Sequence, residues 1–503
     1  MNNVSFSLPV GRMLRGTAVL ILPFLLFFLL LQQLRAAPTA VLATITVNTT
    51  ADELNGDGDC SLREAIQTAN TGSAVSGCTI SGVGDYLISV PAGTYFLTLG
   101  SPDEDGNAGG DFDLLVSMTI EGAGAGSTIL DANLLDRVFD VDPGQSAAIS
   151  VTLASLTVQN GRPPQASNGG NIRNFDDTLT VQDSVVSDGR LTGTEITNGG
   201  GIASGSGVGT QLSVLNIINS TIEDNSSTFG SGGGIYNDWG AVNVSGSVIV
   251  GNSAQIISGT SSGGGLSNIG GVVNILNSAI IDNESDGHSG GVGNFFSGAI
   301  MNIANSTISG NRTNGSGGGV RNYGQMYLTN VTIFNNTADL DAQFGGFGGG
   351  IRNNGDLHMK ASIVYGNVDI LSPGVPADLP ISPDIYDTGT LVSEGFNMLG
   401  VITGTTTITH GVNEDRVGID PQLGSLTGVP PYHPLSLVSP ALNQIPIANC
   451  TFIVTGTNSL YSHGSPNLID QVGNGRPDIS TGLCDFGAWE APYAITLLPL
   501  VTR

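Results

Sequence analysis

Between about residue 168 and residue 367, short aliphatic runs alternate with clusters of glycine, asparagine and serine, and the alternation is periodic. Ile172, Ile202, Ile235, Leu266, Val292, Val320 and Ile351 each follow a glycine-rich cluster, at intervals of 30, 33, 31, 26, 28 and 31 residues. In all but the second copy, where Ser204 stands, an asparagine follows two residues later. A second element, aliphatic-x-x-Asn, recurs from Ile222–Asn225 to Val364–Asn367. Repeats of this length mean a solenoid. Runs such as Val242-Asn243-Val244 and Ser247-Val248-Ile249-Val250 are strand-like, and no ten-residue stretch with 3.6-residue spacing separates them. Helix-containing repeats are thereby excluded.

The pattern predicts an all-β, right-handed parallel β-helix with three short strands per unit. Successive coils advance by the strand spacing, roughly 4.8 Å. One aliphatic residue per strand then stacks on its copy in the next coil. Asparagine suits the corners, where it tolerates left-handed backbone, and stacked asparagines can bond along the axis.

Outside the repeat the pattern changes. Arg12 and Arg15 precede an apolar run, Ala18–Leu31, followed by Ala36, Ala37, Ala40 and Ala43. Residues 1–43 read as a signal peptide, so contact with a membrane is expected only before cleavage or through an anchor not identified. In 44–84, a strand precedes Ser61 and Glu64, the spacing of a helix capping box. Leu62, Ala65, Ile66 and Ala69 fall on one helical face, which suits a lid over the first coil. Residues 85–400 carry the coils and 401–490 the C-terminal coils and closing region. Residues 369–390, with Pro373, Pro376, Pro380 and Pro383, read as a projecting loop, and 491–503 as an apolar tail.

The net charge of −27, with Lys360 the only lysine, excludes nucleic acid and anionic lipid as partners held by charge. Four cysteines remain after the signal: Cys60 and Cys78 near the start, Cys450 and Cys484 near the end. An even count in an exported chain predicts two local disulfides. Asp52, Asn55, Asp57 and Asp59 place several oxygens within eight residues, a composition that suits structural Ca²⁺, though not in EF-hand spacing. An acidic turn beside a helix N-terminus explains the same residues. Asp103, Asp105, Asn107, Asp111 and Asp113 form a second such stretch.

Cys60-Ser61-Leu62-Arg63-Glu64-Ala65 resembles the motif of the CSLREA domain, found at the N-terminus of exported bacterial β-helix proteins. Ser439-Pro440-Ala441-Leu442, Arg476-Pro477 and Cys484 to Glu490 resemble the choice-of-anchor Q region. The glycine and asparagine units are similar to repeats of polymorphic outer-membrane proteins, with Ile or Val in place of Phe. The resemblance implies a pectin-lyase-like solenoid, export and a cell-surface location. It implies no reaction and no catalytic residues.

Candidate chemistry on the solenoid is sparse. Asp176-Asp177 beside Arg173 is the most suggestive acidic cluster, and Asp224 and Asp282 align with Gly251 between them. His288, His358, His410, His433 and His463 give neither metal spacing nor a triad and read as surface residues. If the aliphatic residue of the glycine unit points inward, the next points outward. That column carries Arg173, Tyr236, Arg321 and Arg352, with Trp239, Phe295 and Tyr323 close by. Arginine forks carboxylates and aromatic rings stack on sugars. The column therefore predicts a glycan-binding stripe for a uronic-acid polymer; local neutralisation of an acidic solenoid is the alternative. The function expected is adhesion, glycan contact or structure at the cell surface without catalysis. The alternative is a polysaccharide lyase or glycoside hydrolase.

Overall fold

The computed structural model describes residues 42–491, apart from 101–103, 145–147, 165–166, 194, 207–211, 256–262, 343–345, 371–382, 406–407, 457, 459 and 479–480. The signal segment through residue 41, Asp103, most of the proline-rich loop and the tail from 492 lie outside the described residues.

The chain winds into a parallel β-helix. Four sheets run along it, with strand pairing parallel throughout. Sheet I has 12 strands, from Ala43–Thr46 to Thr390–Ser393. Sheet II has 11, from Phe112–Leu114 to Ile402–Gly404. Sheet III has 12, from Gly93–Phe96 to Arg416–Val417. Sheet IV has 7 strands of two residues, from Arg190–Leu191 to Val368–Asp369. One coil reads Ile235–Asp238 (sheet II), Ala241–Ser245 (I), Val248–Val250 (III) and Ser253–Ala254 (IV). The middle coils thus have four faces where three were expected. Two-residue strands such as Ser226–Ser227 carry no hydrophobic alternation by which a sequence could announce them.

The interior is built as the repeat requires. Ile202, Ile235, Leu266, Val292, Val320 and Ile351 stack in register and are fully buried. Burying each such side chain contributes about 1.5–3 kcal/mol. The glycine clusters lie where coils nearly touch: a Cβ on Gly233 would stand 2.4 Å from the Ser253 carbonyl oxygen.

The asparagines divide their work. Those of the aliphatic-x-x-Asn unit form a buried ladder, Asn225–Asn252–Asn283–Asn311–Asn336–Asn367, each Nδ2 donating to the next Oδ1 at 2.9–3.0 Å. They do not take up the left-handed corner. That conformation falls on the residue before, as at Asp224, Asp282 and Asn335. A second ladder runs Asn237–Asn268–Asn294–Asn322–Asn353.

At the N-terminus the helix Leu62–Thr71 carries the expected capping box of Ser61 and Glu64. Leu62, Ala65, Ile66 and Ala69 join the core beside Ile45 and Ile88. Both disulfides form, Cys60–Cys78 and Cys450–Cys484.

The C-terminal region does not add coils as far as residue 490. The coil strands end at Arg416–Val417, and the chain then folds back along the outside of sheets I and III. Phe452 and Tyr461 pack on Leu276 and Ala304 of sheet I, and Phe486 and Trp489 cluster with Ile363 and Met398 of sheet III. Among the described residues no helix is long and apolar enough to cross a membrane.

Candidate functional site

The outward column of sheet II has the register its repeat predicts. Arg173 pairs with Ala203, then follow Tyr236, Ser267, Gly293, Arg321, Arg352 and Tyr386 in successive coils. The column also extends backwards, to Asp140 and Asp113. This extension decides the fate of Arg173. Its Nε donates to Asp140 Oδ1 at 2.9 Å, so its charge is neutralised and it stands apart from the other stripe residues. Tyr236 is buried, and the Trp239 ring meets that of Phe296 in a tilted contact at 5.7 Å.

The structure brings together Arg321, Arg352, Phe295 and Tyr323, and adds Phe347, Tyr386 and His288. Arg321 lies over the Tyr323 ring at 4.9 Å and donates to its hydroxyl. Arg352 lies over Tyr386 at 4.2 Å and Phe347 at 5.6 Å. Phe295 sits 6.3 Å from Tyr323, and its ring crosses the column where Gly293 leaves room: a Cβ there would lie 1.9 Å from it. Neither arginine forms an ion pair among the described residues. Arg321 Nε and Nη1 and Arg352 Nη1 are buried without a hydrogen-bond partner there. Burial, and then the two arginine charges, pushes the His288 imidazole down to about 4, so it is neutral at physiological pH. Arg321 is 8 % exposed, whereas Tyr323 and Phe347 are 37 % and 43 % exposed. The rings and Arg352 thus offer the accessible surface, and Arg321 supplies charge from beneath.

The acidic stretches resolve differently. Asp52 does not join the first group, because Arg63 Nε draws it away at 2.6 Å. Asn55 Oδ1 is taken by the Asp57 amide at 2.8 Å, closing a local turn. Glu53, Asp57 and Asp59 place carboxylate oxygens within 4.8 Å of one another and could hold a cation. The second group is Asp111, Asp113 and Asp140, all buried. There Arg137 Nη1 reaches Asp111 at 3.1 Å and Asp140 at 2.6 Å, so arginine already serves as the cation for two of the three.

Burial pushes the Asp113 carboxyl up to about 8, and those of Asp177 and Asp369 up to about 7. Between 3.8 and these values the folded chain holds protons that the unfolded chain releases. Stability therefore falls as pH rises through that window. Denaturant midpoints should therefore be higher near about pH 5 than near about pH 8. Asp113→Asn, which stays uncharged, should flatten that slope; a midpoint that rises toward alkaline pH would contradict the assignment.

A cavity of about 500 Å³ opens between sheet III and the C-terminal segment, lined by Asp282, Ser309, Phe334, Leu423, Leu426 and His433 among others. His433, expected at the surface, is buried here with its Nε2 2.8 Å from Ser309 Oγ. The two residues are 124 apart in sequence, and only the fold-back of the C-terminal segment joins them. No local spacing could have signalled the pair.

The fold defines this chain as a parallel β-helix protein. No family model matches it, and the search of curated proteins gave no match. The CSLREA and choice-of-anchor resemblances therefore rest on the quoted residues alone. Among solved structures, the crystal structure of pectate lyase Pel9A is similar, at 13 % identity and a TM-score of 0.42, over 90 % of this chain and 98 % of that one.

Proposed function

We propose that the protein is an exported, surface-exposed binder of acidic polysaccharide, acting through the Arg321–Arg352 face without catalysis there. The observation that carries this reading is the pair of guanidinium groups on adjacent coils, Arg321 and Arg352, which have no ion-pair carboxylate among the described residues in a chain of net charge −27. A desolvated charge is costly unless paired. An anion arriving from outside supplies the pairing, and Tyr323, Phe347 and Tyr386 supply faces for a sugar ring. Coil spacing of roughly 4.8 Å sets the two charges along the helix axis, which suits a linear polymer carrying repeated carboxylates. Two disulfides support export, since such bonds persist in oxidising compartments.

The test is retention on immobilised polygalacturonate against a neutral dextran. Removing one charge-assisted hydrogen bond should cost about 1.5–3 kcal/mol, about tenfold or more in Kd. Arg321→Ala with Arg352→Ala should abolish retention at low salt, and wild-type retention should weaken as salt rises. Retention unchanged in the double variant removes the proposal. Release of unsaturated or reducing ends by the wild type would favour the lyase or hydrolase reading instead.

A further inference from the structure

We propose that Ser309 is an activated nucleophile with His433 as its base, forming a site on the outer face of sheet III that attacks uncharged acyl esters. The strand Thr307–Ser309 points Ile308 into the core, so its last residue emerges on the outside. The C-terminal segment crosses the strand at that point and delivers the imidazole. His433 Nδ1 lies 2.8 Å from the Gly424 carbonyl oxygen, which can only accept. Nδ1 therefore carries the proton, and Nε2 presents its lone pair to the Ser309 hydroxyl at 2.8 Å. This is the arrangement in which a serine is activated: hydroxyl to base, base to an orienting acceptor. The Phe334 ring meets the imidazole edge-on at 4.9 Å and fixes its plane. Burial lowers the His433 pKa, which keeps the base unprotonated at neutral pH.

Lys360 Nζ donates to Thr451 Oγ1 of the C-terminal segment at 2.7 Å, and three further docking contacts are of a different kind. Asn305 bonds Asn467, Thr307 bonds Gln471, and the Ala488 amide donates to Thr332. These are amide and hydroxyl contacts that need no titratable group. At Ser309 the partner is a base, and the pair lines a cavity whose roughly 500 Å³ falls within the range of small-molecule sites. Phe334, Leu423 and Leu426 give it apolar walls, and the Asp282 carboxylate disfavours anionic substrates.

In the reaction, Ser309 Oγ bonds the ester carbonyl carbon and its proton passes to His433 Nε2. The carbon–oxygen bond to the alcohol then breaks, and His433 returns the proton to the departing alkoxide. Water repeats the sequence on the acyl-serine, releasing the acid and restoring Ser309. The imidazolium is oriented by a carbonyl rather than a carboxylate, so turnover is slow and the covalent step is the better readout.

The full mature chain is treated with an alkyl fluorophosphonate and mapped by mass spectrometry. Oγ–P bond formation with loss of fluoride should place one label on the peptide containing Ser309. Ser309→Ala should abolish it. His433→Gln can still donate to Gly424 and accept from Ser309, so it preserves the contact while removing the base. Removing a general base costs about 10²–10⁴ in rate, so labelling should slow by that factor at an unchanged melting temperature. An unlabelled wild type, a label on another serine only, or labelling of His433→Gln at the wild-type rate overturns the proposal and leaves the contact a structural clasp. The wild-type mapping decides even where a variant fails to fold.

Discussion

Arg63→Ala is expected to destabilise the N-terminal end of the solenoid by about 3–5 kcal/mol, the cost of stranding one partner of a buried pair. The guanidinium is fully buried and serves four elements at once. Nε donates to Asp52 Oδ1 at 2.6 Å, Nη2 to the Gly110 carbonyl at 2.8 Å and Nη1 to that of Asp111 at 3.1 Å. Its flat face lies 4.8 Å from the Phe112 ring centroid. Asp52 in turn accepts from the amides of Thr98 and Leu99 through Oδ2. One side chain thus ties the capping helix, the loop before it, the chain after the first sheet III strand and the first strand of sheet II. Arg63→Lys should lose most of this, since an ammonium cannot span a carboxylate and two carbonyls in one plane. Solenoid stability is a sum over neighbouring units. The loss should therefore appear as faster hydrogen exchange in the helix Leu62–Thr71 while the coils from Ile235 onward keep their protection. Unchanged exchange in that helix would show the network to be dispensable.

The sequence foretold those parts of the molecule in which one residue type repeats at one structural position. Glycine clusters, inward aliphatics and the Asn225–Asn367 series are of this kind, and so is the Ser61–Glu64 box, whose partners are three residues apart. One break in the series is filled from a neighbouring element. Where Gly189 stands in place of the ladder asparagine, the preceding glycine cluster carries Asn171, whose Nδ2 donates to Asn225 Oδ1 at 3.0 Å and fills the gap. What escaped depends on distant chain or on weak pattern. The pairing of Arg173 with Asp140 draws its carboxylate from a strand that precedes the glycine signature. Phe347 and Tyr386 join the arginine face from outside the repeat motif. The Ser309–His433 contact requires a segment that folds back over the coils, and a period says nothing about where such a segment lands.

Asn283→Asp should cost more than any outward substitution on the same coil, while Asp384→Asn should cost far less, and the contrast follows from the direction of the ladder. Asn283 Oδ1 accepts from the Asn252 amide at 3.0 Å and from Asn252 Nδ2 at 2.9 Å. Its own Nδ2 donates forward to Asn311 Oδ1 at 3.0 Å and to the Ile249 carbonyl at 3.0 Å. Every rung therefore needs an acceptor facing backward and a donor facing forward, which an amide supplies and a carboxylate does not. At position 283 a carboxylate would turn a second oxygen toward two acceptors in a dry interior. Each unsatisfied buried group costs about 1–3 kcal/mol, more when charged, so a loss of about 3–5 kcal/mol is expected at neutral pH. Acid should restore part of it, because the protonated form regains a donor. The last rung has the opposite need. Asp384 Oδ1 accepts from Asn367 at 2.8 and 2.9 Å, and Oδ2 accepts from the Val401 amide at 2.9 Å. With no further rung to receive a donor, an acceptor-only side chain closes the series. Asp384→Asn keeps the Asn367 contacts and strands only the Val401 amide, so a loss of about 1–2 kcal/mol is expected. Urea midpoints for the two variants across pH separate the accounts: equal losses, or an Asn283→Asp penalty that does not shrink in acid, would mean that the ladder has no donor polarity.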